Sequence, residues 1–170
     1  MNFKESRTDG TVSSGTTRQV LTFALGQEVY GVDILRVKEI RGWTPVTRIP
    51  HSPPAVLGML NLRGAIVPII DLRVRFAMPS AEFNAITVVI VLSLRTPEGQ
   101  RECGIVVDSV RDVVDIATDS IRPAPSMNGR DSTEFIEGIT TTDDQMLLLF
   151  NADYLLSGDL SPAASTTEAA

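Results

Sequence analysis

Val20-Leu21-Thr22-Phe23-Ala24-Leu25-Gly26-Gln27-Glu28-Val29-Tyr30-Gly31-Val32 decides the fold class. The first six residues have the composition of a strand, Gly26-Gln27 that of a tight turn, and Glu28 onward that of a return strand. The same pattern recurs along the chain. Ala65-Ile66-Val67-Pro68-Ile69-Ile70 reads as a buried strand, with Pro68 marking an edge or a bulge. Ile86-Thr87-Val88-Val89-Ile90-Val91-Leu92 is the most apolar strand. Thr96-Pro97-Glu98-Gly99 is a turn, Cys103-Gly104-Ile105-Val106-Val107 the return, and Met146-Leu147-Leu148-Leu149-Phe150 the last strand. Residues 42–54 are proline-rich and predicted to be extended with turns. Residues 54–60 read as one helical turn started by a proline.

The composition agrees. Of 170 residues, 43% are hydrophobic and only 5% aromatic, so the core must be aliphatic. Val and Ile number 30 against 15 Leu and 13 Ala. Branched Cβ atoms fit a pleated surface better than a helix, which favours β-structure. The length suits one domain or two small ones sharing a core. No apolar run approaches the roughly 18–20 residues that span a bilayer, and Met1-Asn2-Phe3-Lys4-Glu5-Ser6 lacks a signal-peptide core. The expectation is a soluble, cytoplasmic protein with no direct membrane insertion. Residues 1–17 and 158–170 are too poor in apolar groups to offset ordering entropy and read as mobile tails.

The chemistry-bearing residues are few. One Cys, Cys103, and one His, His51, cannot build a four-ligand Cys/His zinc site or an intramolecular disulfide. No phosphate-binding glycine loop or nucleophile elbow is present. Cys103 lies in an apolar strand, where a small buried thiol is the simplest reading. His51 lies in a proline-rich turn, and Asp143-Asp144 in a hairpin turn. The expectation is therefore no catalytic residue, no metal and no cofactor. A net charge of −6 argues against non-specific nucleic-acid binding. The charge is split: residues 18–80 carry +4 and residues 98–170 carry −10. That split suits two surfaces with opposite fields, or simply solvated faces.

A weak internal repeat is visible. Gly31-Val32-Asp33-Ile34-Leu35-Arg36-Val37 resembles Gly104-Ile105-Val106-Val107-Asp108-Ser109-Val110-Arg111, both giving Asp-x-x-Arg after an apolar strand that contains or follows Gly. Ile69-Ile70-Asp71-Leu72-Arg73 resembles Leu149-Phe150-Asn151-Ala152-Asp153-Tyr154-Leu155, each a strand meeting a polar cap. Two similar β-subdomains would produce this pattern, and so would chance. Two polar placements also stand out: Asn61-Leu62-Arg63-Gly64 between apolar segments, and Glu39 within Ile34–Ile40. An Arg–carboxylate pair at a shielded groove would give specificity with modest net stability. An ordinary surface ion pair is the plainer alternative.

Residues from about Gln19 to Leu156 resemble CheW, the bacterial chemotaxis coupling family. The resemblance rests on Phe23-Ala24-Leu25-Gly26, Tyr30-Gly31-Val32-Asp33-Ile34-Leu35, Val37-Lys38-Glu39-Ile40-Arg41-Gly42, the block from Asn61 to Arg73, Gly104 to Asp108, and Ile121-Arg122-Pro123-Ala124-Pro125. It implies a mainly all-β fold: two SH3-like five-stranded β-barrels packed together, with a few short helices. The expected division is 18–66 for the first barrel and 67–145 for the second. A return of 146–157 to the first barrel stays open. The resemblance also implies a non-enzymatic adaptor, monomeric when free. It would link the cytoplasmic tips of chemoreceptors to the regulatory domain of a CheA-type histidine kinase in membrane-associated arrays. The receptor contact would fall on Ile34, Val37, Glu39, Ile40, Gly58, Arg63 and Val88, with Glu39 paired to Arg63. The kinase contacts would fall on Val110 and Val113, and on Arg122 and Met127.

Two other readings compete. CheW-like adaptors also serve non-flagellar chemosensory systems. An OB-like barrel binding single-stranded nucleic acid would need basic grooves and stacking aromatics, and the chain has nine aromatics in all. A small hydrolase would have to rest on Cys103 or His51.

Overall fold

The computed structural model describes residues 16–76, 78, 83–123, 136–142 and 144–155. β1 (Thr17–Leu25) and β2 (Glu28–Asp33) form the expected hairpin, with Leu25 opposite Glu28 and Gly26 at a φ of 65°. A one-turn 3-10 helix, Ile34–Arg36, leads into β3 (Val37–Gly42). β4 (Val56–Leu62), β5 (Ala65–Asp71), a single α-helical turn α1 (Leu72–Arg75), β6 (Val88–Thr96) and β7 (Gly99–Val107) follow. β8 (Ser109–Ala117), a turn at Thr118–Ser120, β9 (Ile136–Thr142), β10 (Gln145–Phe150) and a turn at Ala152–Tyr154 complete the order.

These strands make two five-stranded sheets, β8-β1-β2-β10-β9 and β3-β6-β7-β5-β4. The chain therefore does not divide near residue 66. One barrel is the continuous stretch β3–β7. The other is assembled from both ends of the chain, because β10 pairs parallel with β2. A parallel pair needs a long crossover, and here the crossover contains the whole of the other barrel. Pairing of such long range leaves no local trace in sequence.

The weak sequence repeat is a structural one. Read in the order β8, β9, β10, β1, β2, the first sheet has the same neighbour order as β3 to β7. Gly31 faces Leu149 in one parallel pair, and Gly104 faces Ile69 in the other. A Cβ on Gly31 would meet Val20 and Leu149; one on Gly104 would meet Val89 and Ile69. Each sheet also closes through one isolated bridge, Thr47 with Met59 and Arg122 with Ile139. The residues preceding Met59 and Ile139, Gly58 and Gly138, lie under those bridges.

The apolar runs read as continuous because both faces of the central strands are buried. Leu21, Phe23, Leu25, Ile90, Leu92, Leu94, Cys103, Ile105 and Val107 belong to one large cluster drawn from both sheets. Their alternates fill the separate barrels: Val89, Val91 and Val106 in one, Val20 in the other. The barrels thus share their main core and form one body.

Two polar clamps reinforce this joint. Asp71, the last residue of β5, and Asn151, directly after β10, occupy equivalent positions, and their side chains accept from the backbone N–H of Arg73 and Asp153. Arg73, almost fully buried, bonds Asp71 through Nε at 3.1 Å and Asp108 through Nη1 at 3.2 Å. Asp108 accepts from Gly26 N at 2.8 Å, which ties the β1–β2 turn to the other barrel. At the twin position the charges are reversed. Asp153 accepts from Arg36 at 2.6 Å and from Arg95 N at 2.9 Å.

One local expectation fails and one holds in part. Residues 56–60 are not helical but lie in β4. Val56 N bonds Pro53 O to make a tight turn, and pairing with β5 then overrides the proline signal. Pro68 is not on an edge strand, since β5 lies between β7 and β4, though the β4–β5 ladder does shift register beside it, where Ile69 and Ile70 face Gly58 and Val56. The proline is tolerated because the ladder with β7 begins only at Ile69.

Candidate protein-binding site

The β4–β5 hairpin turns on Arg63 and Gly64, both at positive φ, 53° and 91°. Asn61 Oδ1 accepts from Gly64 N at 3.0 Å and pins the turn. Asn or Gly would hold the first position with less strain, so the arginine calls for another reason. Its guanidinium, with the side chain 78% exposed, reaches Glu39 on β3 at 3.1 Å. The pair spans the seam between the two edge strands of that barrel. Arg41 also reaches Glu39, at 3.3 Å. The expected Glu39–Arg63 contact is thus present, and Glu39 is held by two cations rather than one.

The predicted receptor set divides into two groups. Val37 and Ile40 pair with Leu92 and Ile90, so they share the face of the core common to both barrels. Ile34, Val37 and Val88 are half-buried against that core, while Ile40 stands 43% exposed at its rim. Glu39, whose partner is Val91, and Arg63 lie instead on the barrel seam. Gly58 is buried beneath Thr47 and offers no contact surface. Its part is to let the closing bridge form.

The predicted kinase set includes the twins of these positions. β8 pairs Val110 with Phe23 and Val113 with Leu21, as β3 pairs Val37 with Leu92 and Ile40 with Ile90. Both ladders carry a register shift at the same place. Val110 is half-buried on the shared core, and Val113 is 49% exposed. Arg122 is exposed and its backbone closes the barrel against Ile139. Met127 lies outside the described residues.

Exposed apolar residues that sequence reasoning missed are Leu35 at 85%, Ile66 and Ile86. Leu35 looks like part of an apolar run. Its exposure follows from the Asp33 carboxylate accepting from Leu35 N, which turns the chain there. Phe23, Tyr30, Phe76 and Phe150 form a chain of ring contacts at the core, and Trp43 stacks on Phe83, which is 38% exposed. These rings are not arranged as a platform for bases. Burial pushes the Cys103 thiol upward, which suits packing and not nucleophilic attack. Among the described residues no group of three His, Cys, Asp or Glu is placed to hold a metal. None of the described helices is long and apolar enough to cross a membrane.

Comparison with known proteins follows the same line. The CheW-like domain family matches residues 19–159. The chemotaxis protein CheW of Klebsiella aerogenes is 47% identical over 142 residues, covering 84% of this chain and 83% of that protein. The probable chemotaxis protein CheW of Rhizobium etli is 39% identical, covering 86% and 92%. The crystal structure of the scaffolding protein TtCheW from Thermoanaerobacter tengcongensis superposes with a TM-score of 0.77 at 32% identity, covering 86% and 97%. With two five-stranded sheets, the matching motifs and relatives of this identity, the chain belongs to the CheW family of chemotaxis scaffolds.

Proposed function

We propose that this chain is a non-enzymatic adaptor that couples the cytoplasmic tips of chemoreceptors to a CheA-type histidine kinase in membrane-associated arrays. The observation that carries the reading is the pair of equivalent aliphatic rims, Val37–Ile40 on one barrel and Val110–Val113 on the other, held on one rigid body. One rim receives an apolar face of the receptor's helical hairpin, with Ile34, Val88 and the Glu39–Arg63 pair setting its register. The other rim meets the kinase regulatory domain, and Arg122 and Met127 form the second kinase contact. Because the barrels share a core, each contact constrains the orientation of the other. Kinase control then comes from contact geometry.

Arg63→Glu tests the receptor side. The side chain is exposed, so folding stability should change by less than about 1 kcal/mol. Reversing its charge sets two carboxylates against each other, and affinity for a receptor signalling fragment should fall by about tenfold or more. Unchanged affinity in a titration, with an unchanged melt, would remove Arg63 from the contact.

A further inference from the structure

The internal repeat places two chemically matched segments on the two barrels. Val37-Lys38-Glu39-Ile40 on β3 aligns with Val110-Arg111-Asp112-Val113 on β8, since their outer residues take equivalent partners on β6 and β1. Glu39 and Asp112 therefore occupy the same position. Their surroundings differ. Glu39 is neutralised within the chain by Arg41 and Arg63. At the twin positions, Arg41 is replaced by Val114, and the turn residue Gly64 of the β4–β5 hairpin by Asp144 of the β9–β10 hairpin. The Asp112 carboxylate is exposed and makes no ion pair among the described residues. Arg111 is the twin of Lys38 and does not pair with it. The backbone of Asp112 is anchored on both sides by Thr22 Oγ1, at 2.9 Å and 3.0 Å, so the position is held rigidly. It lies directly beside exposed Val113 on an edge strand.

We infer that Asp112 is a specificity-determining residue, which takes from the partner the cation that Glu39 receives from Arg63 and Arg41. The occupant of the β8 rim is a protein surface presenting an arginine or lysine beside aliphatic side chains. Charge complementarity selects it: the barrel bearing β3 supplies Arg41 and Arg63 around Glu39, whereas the barrel bearing β8 has no arginine at either twin position around Asp112. This rests on the proposed kinase contact at β8 and adds the charge of the group that must face it. A partner with an acidic group there would be rejected by repulsion, which gives the two rims different partners despite their similar aliphatic residues.

The test measures binding of the full chain to a CheA-type regulatory domain at low and high salt. Asp112→Asn should weaken binding by about threefold or more, and Asp112→Lys by about tenfold or more. The salt dependence of binding should shrink in both variants. Val113→Asp serves as the reference, and receptor-fragment binding should be unchanged in all three. Binding by Asp112→Lys within twofold of the parent, while Val113→Asp fails to bind, would overturn the charge assignment and leave the β8 contact standing. Parental binding by Val113→Asp would instead remove β8 from the kinase contact, and the inference with it.

Discussion

Replacing Arg73 with alanine is expected to lower folding stability by about 3–5 kcal/mol, the largest effect of any single side chain in the joint. Its guanidinium side chain is 3% exposed and satisfies Asp71, itself nearly buried, and Asp108. Removing it strands a carboxylate in a low-dielectric setting, which costs more than the pair contributed. The change also frees Asp108 from its second partner, and Asp108 anchors the Gly26 amide of the other barrel. Arg36→Ala, at the twin clamp, provides the comparison. Arg36 and Asp153 are partly solvated, with side chains 22% and 31% exposed, so water replaces much of what is lost. Its cost should be no more than about half as large. Urea unfolding of the two variants measures both, and equal losses would show that burial does not govern the difference.

Gly58→Ala is expected to cost about 2 kcal/mol or more and to impair the receptor-side contact without touching a partner. A Cβ there would overlap the Thr47 carbonyl oxygen and approach Val46 Cγ2 at 2.8 Å, and the φ of 157° is one that L residues rarely adopt. Thr47 and Met59 exchange two backbone bonds, at 3.0 Å and 2.8 Å, and these must open. Opening them loosens β4, whose hairpin carries Arg63 to Glu39. The twin, Gly138→Ala, meets the Ile121 Cγ2 methyl first and Arg122 O at 3.0 Å. Its backbone carbonyl stands further off than that of Thr47 at Gly58, and its φ is not in the positive region, so this change should cost less. Thermal melts of both variants test the ranking. A milder effect at Gly58 than at Gly138 would contradict it.

Much of this was legible in the sequence. Leu21, Phe23 and Leu25 alternate with Val20 because two different cores lie on the two faces of one strand, and that leaves an apolar run. The repeat around Gly31 and Gly104 was legible because each glycine faces a large aliphatic residue of a parallel neighbour, with little room for a Cβ at Gly104 and a tight fit against Val20 at Gly31. Glu39 and Arg63 were legible as polar placements between apolar residues. The barrel boundaries were not, since the parallel pairing of β10 with β2 joins residues more than a hundred positions apart. Nor was the extended state of residues 56–60, where pairing with β5 outweighs the helix-start signal of Pro54. The equivalence of Glu39 and Asp112 appears only once the two ladders are aligned through their register shifts.

The most direct measurement is co-sedimentation of a receptor signalling fragment on vesicles, a CheA-type kinase and this chain, with kinase activity read in the pellet. The kinase should enter the pellet and change activity only when the chain is present. Ile40→Asp should release the chain and the kinase from the receptor, while Val113→Asp should leave the chain bound and release the kinase alone. Kinase sedimenting equally without the chain, or both variants losing the same partner, would contradict an adaptor with two separate rims.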